Sequence, residues 1–478
     1  MRIHQKIVVF LYNFNKIVYR TIGEVSKMAK KKMGEKDKIL NTLSKAEEDG
    51  VKFVNLMFTD ILGGIKSVTI TVEHLEASLT DGTWFDGSSI EGFARIHESD
   101  MILKPDPDTY AVLPWRPKEK AEARFIADVL TPEGTPFPGD PRYILKRAIA
   151  ESEKMGLKFY TGPELEFFLF KTENGKITPV PHDVGGYFDY SARDLASDVR
   201  RDIILALEAL GMNVEMSHHE VAAGQHEIDV RYSDALSSAD NAITLKHTVK
   251  EIAATHGLYA TFMPKPIYGI NGSGMHTHQS LFKGNKNAFF DPSDKYHLSD
   301  IAYSYIAGIL EHVREMSGVL APTVNSYKRL VPGYEAPVYV CWGQRNRSAL
   351  VRVPRYSPGR DKAVRCEVRC PDPGCNPYMA FAAMLTAGLD GVRRKLKPPA
   401  PVEEDVYEFD DAKLKKLYIS TLPASLGEAI AEMEKSDFVK KVLGDHTYGK
   451  YLEAKKQEYD EYRLTVTDWE IKRYLEIL

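Results

Sequence analysis

The chain has 478 residues, 43 % of them hydrophobic and 27 % charged, enough for two or more domains around sizeable cores. A formal net charge of −4 speaks against non-specific nucleic-acid binding, and no apolar run approaches the ~20 residues of a membrane span. The four cysteines lie between Cys341 and Cys375 in no common zinc spacing, so free thiols of a cytoplasmic protein are expected rather than a disulfide framework.

Residues 1–33 carry eight Lys/Arg against one acid, Glu24, and Val8 to Leu11 is too short for a secretory core. Residues 1–35 are therefore set aside as a basic extension, either a transit-type segment or a start placed upstream of Met28 or Met33. Residues 50–75 predict two short strands around a Gly63-Gly64 turn, and 109–130 add further strand-like pieces. A small β-rich domain over 36–135 follows. Pro132, Pro136, Pro138 and Pro141 then punctuate a linker, and the rest of the chain, 140–478, reads as one larger domain. It opens on a helix (142–155). Leu195, Val199, Ile203, Leu207 and Leu210 mark an amphipathic helix ended by Gly211. Asn376-Pro377 opens an apolar helix as N-cap and first residue, and a Pro-rich stretch at 397–401 precedes a charged, helix-rich tail.

The chemistry begins in the apolar segment Gly162–Phe170, which predicts a buried strand bounded by Gly-Pro. Its two-residue period sends Glu164 and Glu166 to one face and Leu165, Phe167 and Leu169 to the other. Two adjacent carboxylates in apolar surroundings need a cation or a shared proton, and a merely solvated face would leave the phenylalanines unplaced. Three more strand-like segments supply companions. Glu220 and Glu227 flank a glycine that permits a sharp bend; His276, His278 and Ser280 share a face; Arg365, Glu367 and Arg369 share another. One histidine on a strand is usually structural, but five carboxylates with an imidazole suit hard divalent cations such as Mg²⁺ or Mn²⁺, two or more of them. Eight arginines lie between Arg329 and Arg369 against three acids. Interleaved with metal ligands, they read as a phosphate clamp, and metals with an arginine clamp are the apparatus of phosphoryl transfer. No Walker loop or kinase signature is present.

Phe85-Asp-Gly-Ser-Ser-Ile90, Gly162-Pro-Glu-Leu-Glu166, Asn271-Gly-Ser-Gly-Met-His276, Lys328-Arg-Leu-Val-Pro-Gly-Tyr-Glu-Ala-Pro337, Arg345-Asn-Arg-Ser348 and Asn376-Pro-Tyr378 together resemble glutamine synthetase, type I, over residues 38–478. The short 170–185 segment resembles the alpha subdivision, which lacks an insertion there. The resemblance implies an α+β fold, with a β-grasp domain before a catalytic domain built on a curved antiparallel sheet of the glutamine synthetase/guanido kinase kind. It implies a homo-dodecamer of two stacked hexamers with active sites between subunits. The implied reaction joins ammonium to L-glutamate with ATP as substrate, through γ-glutamyl phosphate, in nitrogen assimilation.

Motif by motif, the resemblance implies Glu166, Glu220 and Glu227 on one metal and Glu164, His276 and Glu367 on another. Arg347 and Arg369 would neutralise the transferring phosphoryl, Arg352 and Arg365 the nucleotide phosphates. Tyr232, His278 and Ser280 would border the nucleoside, and Asn271, Gly272 and Arg329 would orient glutamate. Asp86, from the adjacent subunit, would be the base for ammonium in a pocket with Ser89, Tyr187 and Glu220. Glu335 would close over the site on a flap. Arg95 matches a residue that links glutamine to feedback inhibition, and a PII-family regulator or 2-oxoglutarate would be the family's other effectors. A relative that ligates an organic amine would need room where these pocket residues stand, and a non-catalytic assembly would have no use for intact ligands and arginines.

Overall fold

The computed structural model describes residues 34–90, 92, 100–334 and 336–478. The basic extension, Arg95 and Glu335 lie outside the described residues.

The first sheet takes its strands from β1 (Phe53–Thr59), β2 (Ile65–Thr71), β3 (Thr83–Asp86), β4 (Asp100–Pro105), β5 (Ala111–Val112) and β6 (Glu122–Leu130). Their order is β2-β1-β6-β4-β3, with β5 beside β6, and the central β1–β6 pair is parallel. Alternation along β1 turns Val54, Leu56 and Phe58 into a core shared with Phe125, Val129 and Leu79. The expected turn between β1 and β2 is present, closed by Asp60, whose Oδ1 accepts from the amides of Leu62 and Gly64. That turn also docks the small domain on the large one. Ile61 packs into the second core, and Asn376 Nδ2 donates to the Asp60 carbonyl at 3.0 Å.

A second tie is ionic. Arg142, on the helix Pro141–Lys154, reaches Asp128 of the first sheet, Asp106 just past β4 and Asp240 of the long helix Ala235–Thr255, each within 3.0 Å. A buried guanidinium shared among three carboxylates fixes the two domains in one geometry, because parting them would leave charges unpaired.

The second sheet comprises β7 (Lys158–Glu173), β8 (Lys176–Pro181), β9 (Val214–His219), β10 (Gln225–Val230), β11 (Ser233–Asp234), β12 (Leu258–Thr261), β13 (Met275–Lys283), β14 (Lys286–Asn287), β15 (Tyr339–Gln344), β16 (Ala349–Val353) and β17 (Cys366–Val368). Its main order is β15-β16-β17-β13-β7-β10-β9, antiparallel except for the β15–β16 pair. Leu165, Phe167 and Leu169 enter a core completed by the apolar helices Asp300–Leu320 and Pro377–Arg394. The second helix has the expected start, with Asn376 Oδ1 accepting from the amides of Tyr378 and Met379. The tail beyond the Pro-rich stretch joins the same core through Leu426, Ile430 and Met433.

Two local expectations change. Gly162-Pro163 does not bound the Glu164 strand; β7 runs through it. Proline is tolerated there because β10 leaves β7 at Asp229–Glu164 and β11 rejoins at Ser233–Thr161, so the intervening stretch needs no ladder donor on that side. Leu195 is not on the buried stripe: the helix starts at Ser197, and Leu195 precedes it, exposed. All four cysteines are buried free thiols, each pushed by burial up to about 12 and hence unreactive as thiolates.

Candidate active site

Strand register assembles the site. Across β7, Glu164 stands opposite His276 of β13 on one side and Asp229 of β10 on the other. One pleat away Glu166 faces Glu227, and Glu227 faces His218 of β9. On the other flank His278 faces Glu367 of β17, which faces Arg352 of β16. Residues from six strands thus fall into adjacent rows on one surface of the sheet.

Within these rows Glu164, His276 and Glu367 converge, each offering a ligand atom within 4.8 Å of the others. His276 Nδ1 lies 3.5 Å from Glu164, 3.8 Å from Glu166 and 4.0 Å from Glu367. Burial and the Arg369 cation beside it lower His276 to about 4, so at neutral pH it is the uncharged imidazole that a metal requires. Burial opposes ionisation of Glu367, yet Arg369, His278 and Arg352 bring it down to about 2. Arg369 Nη1 donates to one of its oxygens at 2.6 Å, and Arg352 Nε donates to the other. Glu164 is likewise held well below the ordinary carboxylate range, against its burial, by His278 and His276. The tautomer of His278 follows from its neighbours. Arg365 Nε donates to Nδ1 at 3.1 Å, so Nε2 carries the proton and donates to Glu164 at 2.7 Å. This donor set, two anionic carboxylates and one neutral imidazole with fixed orientation, fits a divalent cation.

The second expected ligand set is placed less tightly. Glu220 sits just past β9 in a turn that Gly224, at φ +69°, carries back into β10. Among the described residues, Glu227 converges with His218 and Asp229 rather than with Glu166 and Glu220. Glu166 instead accepts from Gln225 Nε2 at 2.9 Å and from the Gly274 amide, and Glu220 meets His218 Nε2 at 2.9 Å. Neighbouring acids nevertheless act on Glu166, Glu227 and Asp229. Burial and Glu220 push Glu166 up to about 8; burial, Asp229 and Glu166 push Glu227 well up; burial and Glu164 bring Asp229 to about 6. Mutual repulsion of this kind is what an added cation relieves.

A pH prediction follows, with its sign. A carboxyl whose folded value lies above its unfolded value of about 4.3 holds its proton in the folded state, so stability falls as pH rises from that value through the folded one. Without divalent cations, the melting temperature is therefore expected to drop from about pH 4–5 up to about pH 8, least steeply below about pH 6.5, where His276, lowered to about 4, opposes the trend. Saturating Mg²⁺ should remove most of that slope, because the ion favours the ionised ligands. Asp140, raised to about 7 by burial and Asp128 far from the ligands, leaves a remainder that the metal does not reverse. Thermal scans across pH with chelator and with Mg²⁺ check this; parallel curves would contradict it.

A cavity of about 330 Å³ opens beside the ligand rows; Glu164, Tyr232, His278, Ser280 and Arg365 of the expected residues line it, and Arg347 and Arg352 are not among its lining residues. Tyr232 stands at its mouth, with Tyr160 edge-on at 6.0 Å. The same cavity contains Arg360, one of the clamp arginines, together with Glu215, Asp229, Arg231 and Lys362, which the motif reading missed. Asp229 was discoverable, being two residues past Glu227 on the same face of one strand. Lys362 lies on the 3-10 turn Asp361–Ala363, with Arg360 just before it, and a single turn is too short to carry a periodic signal.

The remaining expected residues divide into groups. Tyr187 lies by Glu220, which with burial raises its hydroxyl, and it hydrogen-bonds with Arg347, so three of the expected residues meet. Arg347 follows Arg345, a non-glycine residue at φ +70°, in a turn braced by Asn346 Nδ2 on the carbonyls of Val402 and Glu404. Arg329 is buried, and its Nη donors go to the carbonyls of Arg369, Cys370 and Pro371 at 3.0–3.1 Å. It braces the chain leaving β17 next to the Asn271-Gly272 approach, where the Gly272 carbonyl accepts from Gln225. Asp86 and Ser89 sit apart from these, at the exposed end of β3 on the edge of the other sheet.

Comparison with known proteins matches the glutamine synthetase β-grasp model at residues 50–132 and the glutamine synthetase catalytic model at residues 138–474. A glutamine synthetase of Methanosarcina mazei is 54 % identical over 439 residues, covering 92 % of this chain and 98 % of the relative. That of Thermotoga maritima is 52 % identical over 431 residues, covering 90 % and 97 %. Among solved structures, a GmaS/ADP complex superposes with a TM-score of 0.83 at 32 % identity, over 91 % of this chain and 99 % of that one. A cryo-EM structure of Plasmodium falciparum glutamine synthetase gives 0.83 at 25 %, over 92 % and 99 %. With both domain models matched in order and half the residues shared over nearly the whole length, the chain belongs to the glutamine synthetase family.

Proposed function

We infer that this protein ligates ammonia to the γ-carboxylate of L-glutamate at the expense of ATP, as a glutamate–ammonia ligase of type I, alpha subdivision, serving cytoplasmic nitrogen assimilation. The observation that carries the reading is the convergence of Glu164, His276 and Glu367 beside the Tyr232–Ser280 cavity, with Arg352 and Arg369 clamped on Glu367. Divalent ions, Mg²⁺ or Mn²⁺, held by this triad and by Glu166, Glu220 and Glu227 would supply charge neutralisation for phosphoryl transfer. His278, Ser280, Arg365 and Tyr232 would seat the nucleotide, and Arg347 and Arg369 would face the moving phosphoryl. Arg329 would act on glutamate with Asn271 and Gly272, bracing their wall of the pocket.

Ammonium would enter between Tyr187 and Glu220, lose a proton to Asp86 of a neighbouring subunit, and attack the acyl phosphate. Glu335 would exclude water during that step. The meeting of Tyr187, Arg347 and Glu220 at the proposed ammonium pocket supports ammonia over a larger amine. A homo-dodecamer is part of this proposal, because Asp86 ends a strand of the first sheet, apart from the Glu220 turn that follows β9 of the second. Feedback by glutamine through Arg95, rather than adenylylation, is the proposed control, with a PII-family protein or 2-oxoglutarate as candidate effectors. Tyr407 donates its hydroxyl to the carbonyl of Ala336, next to the flap acid.

ATP consumption is expected to require glutamate and Mg²⁺ and to rise at least tenfold on adding ammonium, with glutamine as product. Substitution of methylammonium giving the faster rate would favour the amine-ligase reading. For the composite site, mixing inactive Asp86→Ala chains with inactive Glu367→Ala chains should restore part of the activity, one intact site arising at each mixed interface. A fully active monomer by light scattering would contradict it.

A further inference from the structure

Behind the Glu220 wall lies a buried group, Asp183, His219 and His226, whose potential ligand atoms fall within 4.8 Å of one another. Hydrogen-bond accounting argues against a metal there. Arg200 Nη1 donates to His226 Nδ1 at 3.0 Å, which leaves the His226 proton on Nε2 and no lone pair to offer. His219 is also committed. Its Nε2 faces Asp183 Oδ1 at 2.9 Å and its Nδ1 faces the Glu220 carbonyl at 2.6 Å, so both nitrogens donate.

His219 touches both walls of the pocket assigned above to ammonium. Its ring holds the Glu220 backbone, and its own carbonyl accepts from the Phe188 amide at 3.0 Å, next to Tyr187. Asp183 extends the tie, accepting from the amides of Gly224 and Leu195 at the far ends of both segments. Gly185 lies flat on the ring, where an added Cβ would stand 2.5 Å from Nε2. His218 is a second tie between the same walls, its ring 5.7 Å from Tyr187 and 4.7 Å from Phe188 and its Nε2 2.9 Å from the Glu220 carboxylate, but His219 alone of the two holds the Glu220 backbone with its ring.

We propose that His219, bridging Asp183 and the Glu220 carbonyl, is a positioning residue that sets the spacing of Tyr187 and Glu220 and thereby the affinity and size selectivity for ammonium. The inference rests on the reading of that pocket given above. It makes no contact with substrate; it acts by denying the two walls freedom to part.

The test uses the assembled enzyme with Mg²⁺. His219→Ala is expected to raise the ammonium KM about tenfold, within the roughly 10–100-fold span of lost supporting contacts, and to raise the methylammonium-to-ammonium ratio of kcat/KM. The ATP KM should stay within about twofold. His219→Asn places an amide near the Nδ1 position and His219→Gln near Nε2, so each keeps one tie and should fall between wild type and alanine. Gly185→Ala, which crowds the ring while removing no polar group, should shift the same parameter, and decides the matter if His219→Ala does not assemble. Equal losses for all substrates, or an unchanged ammonium KM in these variants, would overturn the positioning role. Wild-type protein without ammonium-dependent turnover would instead sink the functional reading itself.

Discussion

Glu367→Ala is expected to lower ligation by more than about 100-fold, beyond what loss of an outer-shell partner alone costs. Glu367 is completely buried, and its two oxygens carry Arg352 and Arg369 while it stands in the triad with Glu164 and His276. Truncation therefore removes a ligand and leaves two guanidiniums facing one another across a dry gap. Stranding one partner of a buried pair costs about 3–5 kcal/mol, so the melting temperature should fall as well. Glu367→Gln keeps the volume and one acceptor, and should recover stability more than activity. Titration with Mn²⁺, followed by electron paramagnetic resonance with and without ADP, should show one class of site weakened and glutamate binding retained. Wild-type turnover in either variant, or full activity of the unmodified enzyme in excess chelator, would refute the metal reading.

The site was legible in the sequence where it lies on strands and obscure where it lies on turns. Two-residue periodicity placed Glu164 and Glu166 opposite Leu165 and Phe167, and the core confirms that division. Cross-strand register was not readable, because it depends on which strands become neighbours. Hence the partnership of Glu227 with His218 and Asp229 emerged only from the sheet. Arg329 shows a further limit. Its motif marked it as important, but the carbonyls of Arg369, Cys370 and Pro371 that occupy its donors come from forty residues downstream. Lys362 escaped for a third reason: a residue on a single short turn is aimed by the chain that carries it, not by a repeating geometry. The fold was legible in outline for the opposite reason. The cap pair Asn376-Pro377 acts locally, and its helix begins there, whereas Pro141, read as the end of the linker, is the first residue of its helix behind the cap Asp140.

Asp86→Ala is expected to leave glutamate phosphorylation running while amide formation at neutral pH falls by about 10²–10⁴-fold, the usual contribution of a general base. Asp86 closes β3 at the exposed edge of the first sheet, and its Oδ1 accepts from the Ser88 amide at 2.8 Å, which orders the Gly87-Ser88-Ser89 turn beside it. Such a carboxylate, fixed at its base and presented outward, suits delivery into another subunit's site. Its proposed task is to take a proton from ammonium, which has no lone pair until it does so. As pH approaches the ammonium pKa, free ammonia arrives already competent, and the deficit of the variant should shrink accordingly. Asp86→Asn, which keeps the turn but not the base, should follow the same profile, separating loss of proton transfer from collapse of the loop. Progress curves for glutamine and ADP, measured side by side across pH, read both steps. A deficit of constant size at every pH would remove Asp86 from the role of base and leave it as a binding group for the cation.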